Sequence, residues 1–323
     1  MEKRKLGTSG LEITRIGLGT WAMGGGGWRY AWGPQDDKES IATIRRALDL
    51  GINWIDTAPI YGFGHAEMIV GRALKGMSER PLIATKCGIL WDEKRRVWND
   101  IKKESICKEV EASLIRLKTE AIDLYQVHWP LPEADVEEAW DTMRELVKEG
   151  KIRYAGVSNF NAAQLEKITP LMKPVSLQPP YSMLERSAED ELLPYCAGRS
   201  VGVVVYSPLQ KGVLTEAFSR ERVLQLPMDD HRKRKSYFLE PELSVNLALV
   251  EGLRSIAAGS GRTVSQLAIA WVLRKQEVTS ALVGSRRCPQ IEDNIHALDK
   301  PLLPEEESAI EELLERRRKA LRA

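Results

Sequence analysis

Short apolar runs alternate with longer amphipathic segments along nearly the whole chain. Each run is rich in β-branched residues and has the length of a buried strand. There are eight runs, at 13–21, 52–58, 81–88, 121–129, 151–159, 175–182, 201–209 and 278–285. Between them, apolar residues recur at three- and four-residue steps, which predicts helices such as 37–50, 103–118 and 135–150.

The ends of these helices carry their own signals. Asp37, Asp135 and Asn161 stand where helices should begin, because a short polar side chain can accept a hydrogen bond from a free backbone N–H. Gly51 and Gly150 stand where helices should end, since glycine adopts the left-handed conformation that terminates a helix. The alternation is therefore one of strand and helix.

Eight strand–helix units in series predict a (β/α)8 TIM barrel, with a doubly wound sheet as the alternative that periodicity does not exclude. The chain shows no composition break, which favours a single domain over 1–323. A barrel of about 250 residues leaves about 70 for additions. We expect an N-terminal β-hairpin over 3–15, a long polar loop after the seventh strand (210–245) and a C-terminal helix (304–323).

Composition narrows the class of protein further. The 323 residues include 47 basic and 46 acidic side chains, and this balance argues against a nucleic-acid partner. No stretch of about 20 apolar residues exists to span a membrane, and no secretory signal follows the basic N-terminus. The four cysteines form no CxxC pair, so we expect a cytoplasmic protein without a disulfide framework or zinc site. The sequence does not decide whether the chain forms a homo-oligomer.

Polar residues lie at the C-terminal ends of the predicted strands, which is where the active sites of barrel enzymes are found. In chain order these strand-end residues are Gly19, Asp56, Lys86, His128, Ser158, Asn159, Gln178, Tyr206, Ser207, Gly284 and Ser285. An acid, a lysine and a histidine end three consecutive strands, and Tyr61 follows Asp56 across a tight turn. We therefore expect these four side chains to form a catalytic group.

The chemistry of this group predicts a site that protonates oxygen. A phenol titrates near about 10, and the ammonium of Lys86 would lower the pKa of Tyr61 by favouring the phenolate. Asp56 would hold Lys86 in its charged form, and His128 would hydrogen-bond the same reacting oxygen. A general acid without an activated Ser or Cys nucleophile suits carbonyl reduction, in which a cofactor supplies the hydride. No metal site is expected.

Six segments resemble the aldo-keto reductases, including the branch of potassium-channel β-subunits. These segments are INWIDTAPIYGFGHAE, IATKCG, DLYQVHWP, GVSNF, LQPPYS and YSPLQKGVL. They fall in family order over essentially the whole chain. The resemblance implies a barrel that binds a nicotinamide cofactor extended across its mouth, with Asp56, Tyr61, Lys86 and His128 as the catalytic tetrad.

The resemblance also assigns the cofactor-binding positions. It places Gly19, Thr20, Trp21 and Asp56 beside the nicotinamide, and Ser158, Asn159 and Gln178 on its carboxamide. Tyr206 would stack on the nicotinamide ring. The pyrophosphate stretch would comprise Ser207, Pro208, Leu209, Gln210 and Gly212, and the adenosine end Gly284, Ser285, Arg286, Gln290, Asp293 and Asn294.

Two adjacent arginines bear on the choice between NADPH and NADH. Arginine pairs with phosphate in a bidentate manner, so Arg286 and Arg287 favour the 2′-phosphate of NADPH. Many members of the family carry a lysine–serine pair and a later arginine here, whereas this chain has Gly284-Ser285 and Gln290. The basic run 231–235 is predicted to be a solvated loop, with the alternative that it folds over the cofactor phosphates.

The other aromatic, histidine and cysteine residues have different predicted roles. Trp129 and Trp21, with Tyr61 and His128, are predicted to face the substrate, whereas Trp91 and Trp98 are predicted to pack loops. His65, His231 and His296 are predicted to be surface residues. Cys87 should point away from Lys86 because successive strand residues alternate. GLGTWA (17–22) fits a dinucleotide-binding pattern, but the glycine run after it does not open a helix.

Two other functions compete with carbonyl reduction. One is a redox-sensing or regulatory subunit on the same fold, which would hold its cofactor tightly and turn over slowly. The other is a metal-dependent barrel hydrolase or isomerase, which would need more His and carboxylate groups at the strand ends than Asp56 and His128 provide. The sequence leaves the physiological substrate open.

Overall fold

The structure, a computed structural model, describes residues 1–322 and consists of a closed barrel of eight parallel strands with helices around it. Around the barrel these strands are β3 (Ile16–Gly19), β4 (Trp54–Asp56), β5 (Leu82–Cys87), β8 (Ile122–Val127), β9 (Ile152–Ser158), β10 (Ser176–Gln178), β11 (Gly202–Tyr206) and β12 (Val278–Gly284). The pairing of β12 with β3 closes the barrel. This confirms the predicted (β/α)8 barrel and excludes the doubly wound sheet, which would stay open.

Helices follow the barrel strands on the outside. They are α1 (Asp37–Asp49), α2 (His65–Ala73), α3 (Lys103–Leu117), α4 (Val136–Lys148), α5 (Ala162–Ile168), α6 (Leu192–Gly198), α7 (Arg220–Leu224), α8 (Glu242–Gly259), α9 (Val264–Leu273), α10 (Cys288–Ile295) and α11 (Pro304–Ala320). Except for α7, which buries no residue, these helices contribute apolar residues to one large core with the outward-facing residues of the strands.

The helix ends follow the local chemistry, with small shifts from prediction. Asn161 caps α5 through a reciprocal pair of bonds with Gln164. The cap of α1 is Asp36, whose side chain accepts from the N–H of Glu39, one residue before the predicted position. Asp135 stands at the start of α4 but makes no side-chain capping bond, because a 3-10 turn precedes that helix.

The N-terminal hairpin closes the amino end of the barrel. Strands β1 (Lys3–Lys5) and β2 (Glu12–Thr14) pair antiparallel, as predicted. Leu6 and Ile13 are buried against Trp54 and other interior residues of the barrel strands. The opposite end of the barrel, where the polar strand ends lie, therefore remains the mouth.

Two segments at the mouth are more ordered than their sequences indicate. A second hairpin, β6 (Ile89–Trp91) with β7 (Val97–Asn99), follows β5 and was not predicted. The segment 210–245 contains α7 and three 3-10 turns, at Gln210–Gly212, His231–Arg234 and Ser236–Phe238. An apolar cluster that includes Phe218 and Phe238 orders it, so this segment is not simply a polar loop.

The C-terminal helix α11 packs across α8, as its predicted position requires. Arg317 anchors it by donating to Asn246 at 2.7 Å and pairing with Glu242 at 2.5 Å. Within residues 1–322 no helix is both long enough and apolar enough to span a bilayer. The same part of the chain shows no cluster of three or more His, Cys, Asp and Glu side chains suited to a metal ion.

Candidate active site

A buried ion pair lies at the centre of the barrel mouth. The Nζ of Lys86, at the end of β5, lies 2.5 Å from Oδ1 of Asp56, at the end of β4. Lys86 also donates to the carbonyl of Thr57 at 2.9 Å. Both side chains are almost fully shielded from solvent. Burial lowers the pKa of Lys86, and the adjacent Asp56 carboxylate opposes that change.

Two glutamines complete the surroundings of the Asp56 carboxylate. Its second oxygen accepts from the side-chain amides of Gln178 at 2.9 Å and Gln126 at 3.2 Å. Gln126 was not among the residues predicted for the site. Gln126 is a polar residue inside an apolar run and stands two positions before His128. Because side chains alternate along a strand, this spacing places both on the same face, which could have indicated a site residue.

Tyr61 stands over this ion pair on the tight turn between β4 and α2. Lys86 Nζ lies 5.3 Å from the centre of the Tyr61 ring, and the ring of His128 lies 6.1 Å from it. The predicted lowering of the Tyr61 pKa is wrong. Burial raises the pKa of Tyr61 well above its usual value, and the charge of Asp56 adds to the effect. Tyr61 is therefore a protonated phenol at neutral pH.

His128 follows β8 and is held through its backbone. Its N–H donates to the carbonyl of Cys87 at 3.0 Å, and its carbonyl accepts from the side-chain amide of Asn159 at 2.9 Å. Burial lowers the pKa of His128 well below its usual value, and the ammonium of Lys86 lowers it further. The imidazole is therefore neutral and carries one N–H that can donate to a substrate oxygen.

The predicted nicotinamide-binding side chains form one connected network. The hydroxyl of Tyr206 donates to Asn159 at 2.9 Å, and the amide of Asn159 donates to the hydroxyl of Ser158 at 3.0 Å. Ser158 in turn donates to the carbonyl of Gln178 at 2.9 Å. On the other side, the hydroxyl of Thr20 lies 3.1 Å from the Asp56 carbonyl. Gly19 pairs with Asp56 in the barrel register, so this network adjoins the tetrad.

The predicted pyrophosphate stretch runs along the mouth from β11. Pro208 and Gln210 are buried, Ser207, Leu209 and Gly212 are half-buried, and Ser182 donates to Gln210 at 3.3 Å. From the basic run 231–235, the guanidinium of Arg232 reaches the carbonyl of Lys211. The structure therefore brings part of this run onto the stretch predicted to lie under the cofactor.

Four arginines gather near the end of β12. Arg286 donates to the side chain of Gln35 and to the carbonyls of Trp32 and Pro34, whereas the side chain of Arg287 is 70% exposed. Burial lowers the pKa of Arg286, and the charges of Arg232 and Arg287 lower it further. The pKa of Arg222 falls for the same reasons. These guanidinium groups thus lie close enough to repel one another, which is the arrangement an anion would stabilise.

The other predicted adenosine-end residues have unequal positions. Gln290 accepts from the backbone N–H groups of Arg286 and Arg287, and the amide of Asn294 contacts Ser285 at 3.4 Å. Asp293 instead accepts from Thr263 and Gln266 at the start of α9. Gly284 is exposed at the end of β12.

His231 is not a surface residue, contrary to prediction. It is 2% exposed, and its ring lies 4.8 Å from the ring of Trp21 and 5.1 Å from that of Trp32. Its backbone N–H donates to the carbonyl of Ala31, which joins the segment after β11 to the loop after β3. Arg232 is also buried, so the predicted solvated loop is wrong for these two residues. His65 is half-buried and paired with Asp37, and His296 is exposed.

Unpartnered polar atoms mark places that a ligand could occupy. Within residues 1–322 neither ring nitrogen of His231 has a hydrogen-bonding partner, and the same holds for Nε1 of Trp32 and the hydroxyl of Thr57. All are buried next to the mouth, where an unpaired polar group is costly. The donors and acceptors present therefore fit a long polar cofactor laid across the mouth.

Tryptophans form the wall on the other side of Tyr61. The ring of Trp21 stacks on Tyr61 at 6.2 Å, and Trp129, directly after His128, is 39% exposed. Trp91 packs against Phe63 at 5.5 Å, as predicted. Trp98 is 44% exposed on the β6–β7 hairpin, so its predicted packing role is wrong. Cys87 is buried in the outer core, on the opposite face from Lys86 as predicted.

Comparisons with known proteins agree with this architecture. The aldo/keto reductase family matches residues 15–315. The aldo-keto reductase YhdN of Bacillus subtilis is 39% identical over 98% of this chain and 94% of its own length. A relative from Escherichia coli named NADH-specific methylglyoxal reductase is 36% identical over 98% of this chain and 99% of its own length.

Solved structures show the same similarity in three dimensions. The glycerol dehydrogenase of Gluconobacter oxydans superposes with a TM-score of 0.88 at 37% identity, covering 98% of this chain and 95% of that one. The holo form of an aldo-keto reductase from Bacillus halodurans gives 0.80 at 31% identity, covering 97% and 96%. The chain belongs to the aldo/keto reductase family and is an oxidoreductase of the kind that uses a nicotinamide cofactor.

Proposed function

We propose that this enzyme reduces a small aldehyde, ketone or sugar carbonyl to an alcohol, with NADPH as the hydride donor and Tyr61 as the general acid. One observation carries the proposal. At the barrel mouth the ring of Tyr61 lies 5.3 Å from Nζ of Lys86, which is paired with Asp56, and 6.1 Å from the ring of His128. This arrangement can protonate one oxygen atom.

A nicotinamide cofactor held at the mouth would supply the hydride for the carbonyl carbon, and the side chains of the tetrad would supply the proton. As negative charge develops on the carbonyl oxygen, the Tyr61 hydroxyl transfers its proton to that oxygen. The phenolate left on Tyr61 is stabilised by the ammonium of Lys86, which Asp56 keeps charged. The N–H of His128 donates to the same oxygen and orients the carbonyl. A proton from solvent then restores the phenol.

The polar network described above would hold the cofactor. Ser158, Asn159 and Gln178 present amide and hydroxyl groups suited to a carboxamide, and the ring of Tyr206 lies beside them for stacking. The stretch from Ser207 to Gly212 would lie along the pyrophosphate. The groups from Gly284 to Asn294 would surround the adenosine.

The arginine cluster supports NADPH over NADH. Arg222, Arg232, Arg286 and Arg287 lie at one end of the proposed cofactor path. Asp230 pairs with Arg232 at 2.6 Å and Glu39 faces Arg287 at 3.6 Å, so Arg222 and Arg286 supply the charge that no carboxylate of this group pairs with. NADPH carries a 2′-phosphate that such a cluster would bind, and NADH does not. The Escherichia coli relative is named NADH-specific, so the preference proposed here differs from that relative's.

Two features bear on the substrate and the compartment. Trp21 and Trp129 provide flat apolar walls beside Tyr61 and His128, which suits a small carbonyl compound with a carbon or sugar backbone. Relatives are named for methylglyoxal and for glycerol. The four cysteines are free thiols, which fits the reducing cytoplasm as the site of action.

A substrate panel tests the proposal. The purified enzyme is mixed with methylglyoxal, glyceraldehyde, dihydroxyacetone or an aromatic aldehyde and with NADPH or NADH, and cofactor absorbance is followed. We expect turnover of at least one carbonyl, faster with NADPH, and no effect of a chelator. Tight NADPH binding without turnover of any carbonyl would indicate a regulatory subunit, and chelator-sensitive turnover would indicate a metal enzyme.

A further inference from the structure

A buried carboxyl group lies directly behind the strand that carries Lys86. Glu109 is on the face of α3 that packs on the barrel, and it is 7% exposed. One of its oxygens accepts from the backbone N–H of Gly88 at 2.9 Å and from the Ser105 hydroxyl at 3.4 Å. Glu109 touches none of the tetrad side chains, so the proton transfer does not use it.

The bond to Gly88 connects Glu109 with two members of the tetrad. The N–H of Gly88 and the carbonyl of Cys87 belong to one peptide group, which is planar and rigid. That carbonyl accepts from the backbone N–H of His128 at 3.0 Å. This peptide group lies one residue beyond Lys86 in the chain. A single planar unit is thus fixed by Glu109 on one side and supports the backbone of His128 on the other.

The chain bends sharply at this peptide group. Gly88 has a φ of +93°, and a Cβ at this position would lie 2.5 Å from Cγ2 of Ile101. The barrel pairing of β5 with β8 ends at Cys87, and the chain then leaves the barrel for the β6–β7 hairpin. Beyond the barrel ladder, the carbonyl of Gly88 accepts from the N–H of Asp100 at 3.3 Å, and the N–H of Gly88 has the carboxyl of Glu109 as its acceptor. Glu109 therefore holds the donor side of the bend.

The cost of keeping a carboxyl here argues against an incidental contact. The second oxygen of Glu109 has no hydrogen-bonding partner within residues 1–322. Burial raises the pKa of Glu109 to about 8, even though the bonds from Gly88 and Ser105 oppose that change. An apolar side chain of similar size would avoid this cost but would leave the Gly88 N–H without an acceptor.

We propose that Glu109 is a positioning residue for the reaction, which sets the placement of Lys86 and His128 relative to Tyr61 by fixing the Cys87–Gly88 peptide group. The inference rests on the proposed roles of Lys86 and His128. It assigns no chemistry to Glu109 itself. If the inference holds, kcat depends on a hydrogen-bond acceptor for the Gly88 N–H at position 109, whereas cofactor affinity does not.

The same strand offers a matched control. Asp123 is 8% exposed, and its carboxylate accepts from the N–H of Ile83 at 2.8 Å, at the opposite end of β5. The two anchored N–H groups are five residues apart, which is about 16 Å along a strand. Asp123 also pairs with Arg153 at 2.8 Å. Loss of the Asp123 carboxylate should therefore disturb the strand and the stability at least as much as loss of Glu109, but away from the mouth.

The test compares Glu109→Met, Glu109→Gln and Asp123→Leu. Glu109→Met keeps the volume and removes the acceptor, and Glu109→Gln restores a carbonyl acceptor. NADPH titration followed by fluorescence gives both the dissociation constant and the fraction of folded sites, so kcat is expressed per folded site. We expect Glu109→Met to lower kcat about ten-fold or more with an unchanged dissociation constant. Glu109→Gln and Asp123→Leu should stay within about three-fold of wild type.

Other outcomes overturn the inference. It fails if Glu109→Met keeps wild-type kcat, if Asp123→Leu lowers kcat equally, or if Glu109→Gln is as impaired as Glu109→Met. If Glu109→Met does not fold, Glu109→Asp serves instead, because its side chain is one methylene shorter and moves the acceptor away from Gly88. An undiminished kcat per folded site in Glu109→Asp would overturn the inference in the same way. If wild type itself reduces no carbonyl, the proposed function fails instead, so the two failures are distinguishable.

Discussion

The Nζ of Lys86 lies 2.5 Å from Oδ1 of Asp56, and both groups are buried at the barrel mouth. Such a pair has lost most of its hydration, so each charge depends on the other. Asp56 also accepts from Gln126 and Gln178, which fixes the carboxylate in place. The carboxylate of Asp56 therefore supports the positive charge of Lys86 beside Tyr61.

Replacement of Asp56 by Asn should remove that charge. Without its carboxylate partner the buried Lys86 would lose its proton, and the Tyr61 phenolate would lose its stabilising cation. We expect Asp56→Asn to lower kcat about 100-fold or more. Steady-state kinetics at saturating NADPH measures this, with Asp123→Asn as the control for loss of a buried carboxylate elsewhere. A kcat within a few-fold of wild type would refute the role of the ion pair.

The pH dependence should be flat through neutrality. A general acid acts in its protonated form, so the rate of reduction falls as pH rises through the pKa of Tyr61. Burial places that pKa well above its usual value and places the pKa of His128 well below its own. Neither group changes state between about pH 6.5 and 9. We expect a level kcat for reduction over this range, and a fall centred between pH 7 and 8 that persists in Glu109→Gln would instead support a lowered Tyr61 pKa.

Arg287 offers the clearest test of cofactor preference. Its side chain is exposed, unlike that of Arg286, which also ties down the loop that contains Trp32 and Pro34. Loss of a charge-assisted bond to phosphate should make Arg287→Ala raise the dissociation constant for NADPH about ten-fold, with little change for NADH. Fluorescence titration measures both constants, and Arg316→Ala, an exposed arginine on α11, is the control.

The double variant Arg286→Ala/Arg287→Ala extends this test. It should weaken NADPH binding further and NADH binding only modestly. If either variant weakens the binding of NADPH and NADH equally, these arginines do not bind the 2′-phosphate.

Stability should depend on pH through Glu109. The folded-state pKa of about 8 exceeds the ordinary carboxyl value, because burial and the nearby Asp100 and Glu67 disfavour the charge. The folded state therefore binds more protons than the unfolded state between about pH 4.5 and 8, and stability falls as pH rises through this window. A pKa difference of one corresponds to about 1.4 kcal/mol.

Glu109→Gln removes this titration and keeps the acceptor for Gly88. Its melting temperature relative to wild type should therefore rise steadily from pH 5 to pH 8, as measured by calorimetry in matched buffers. Parallel melting curves for the two proteins across this range would show that Glu109 does not titrate as described.

The sequence predicts the barrel well because each strand must be apolar to be buried between helices and interior. Lys86, Asp56 and His128 stand out for the same reason, as polar residues that end apolar runs. The β6–β7 hairpin escapes prediction because its strands are three residues long and half-exposed. His231 escapes because its burial depends on contacts with Trp21 and Trp32, about 200 residues earlier in the chain.

Some charges also need three dimensions to interpret. The ammonium of Lys86 next to Tyr61 suggests a lowered phenol pKa, but burial of the phenol and the charge of Asp56 outweigh that effect. Arg222 and Arg287 are 65 positions apart in the sequence, and only the folded structure shows that the charge of Arg287 lowers the pKa of Arg222. Glu109 looks like one more helix charge until its bond to Gly88 is seen.

The central claim is that Tyr61 donates the proton, and Tyr61→Phe tests it most directly. Phenylalanine keeps the ring that packs beside Trp21 and removes only the hydroxyl. We predict that kcat for carbonyl reduction by the variant falls by about 1,000-fold or more, while the NADPH dissociation constant measured by fluorescence stays within about two-fold of wild type. If Tyr61→Phe keeps most of the wild-type kcat at saturating NADPH, Tyr61 is not the general acid.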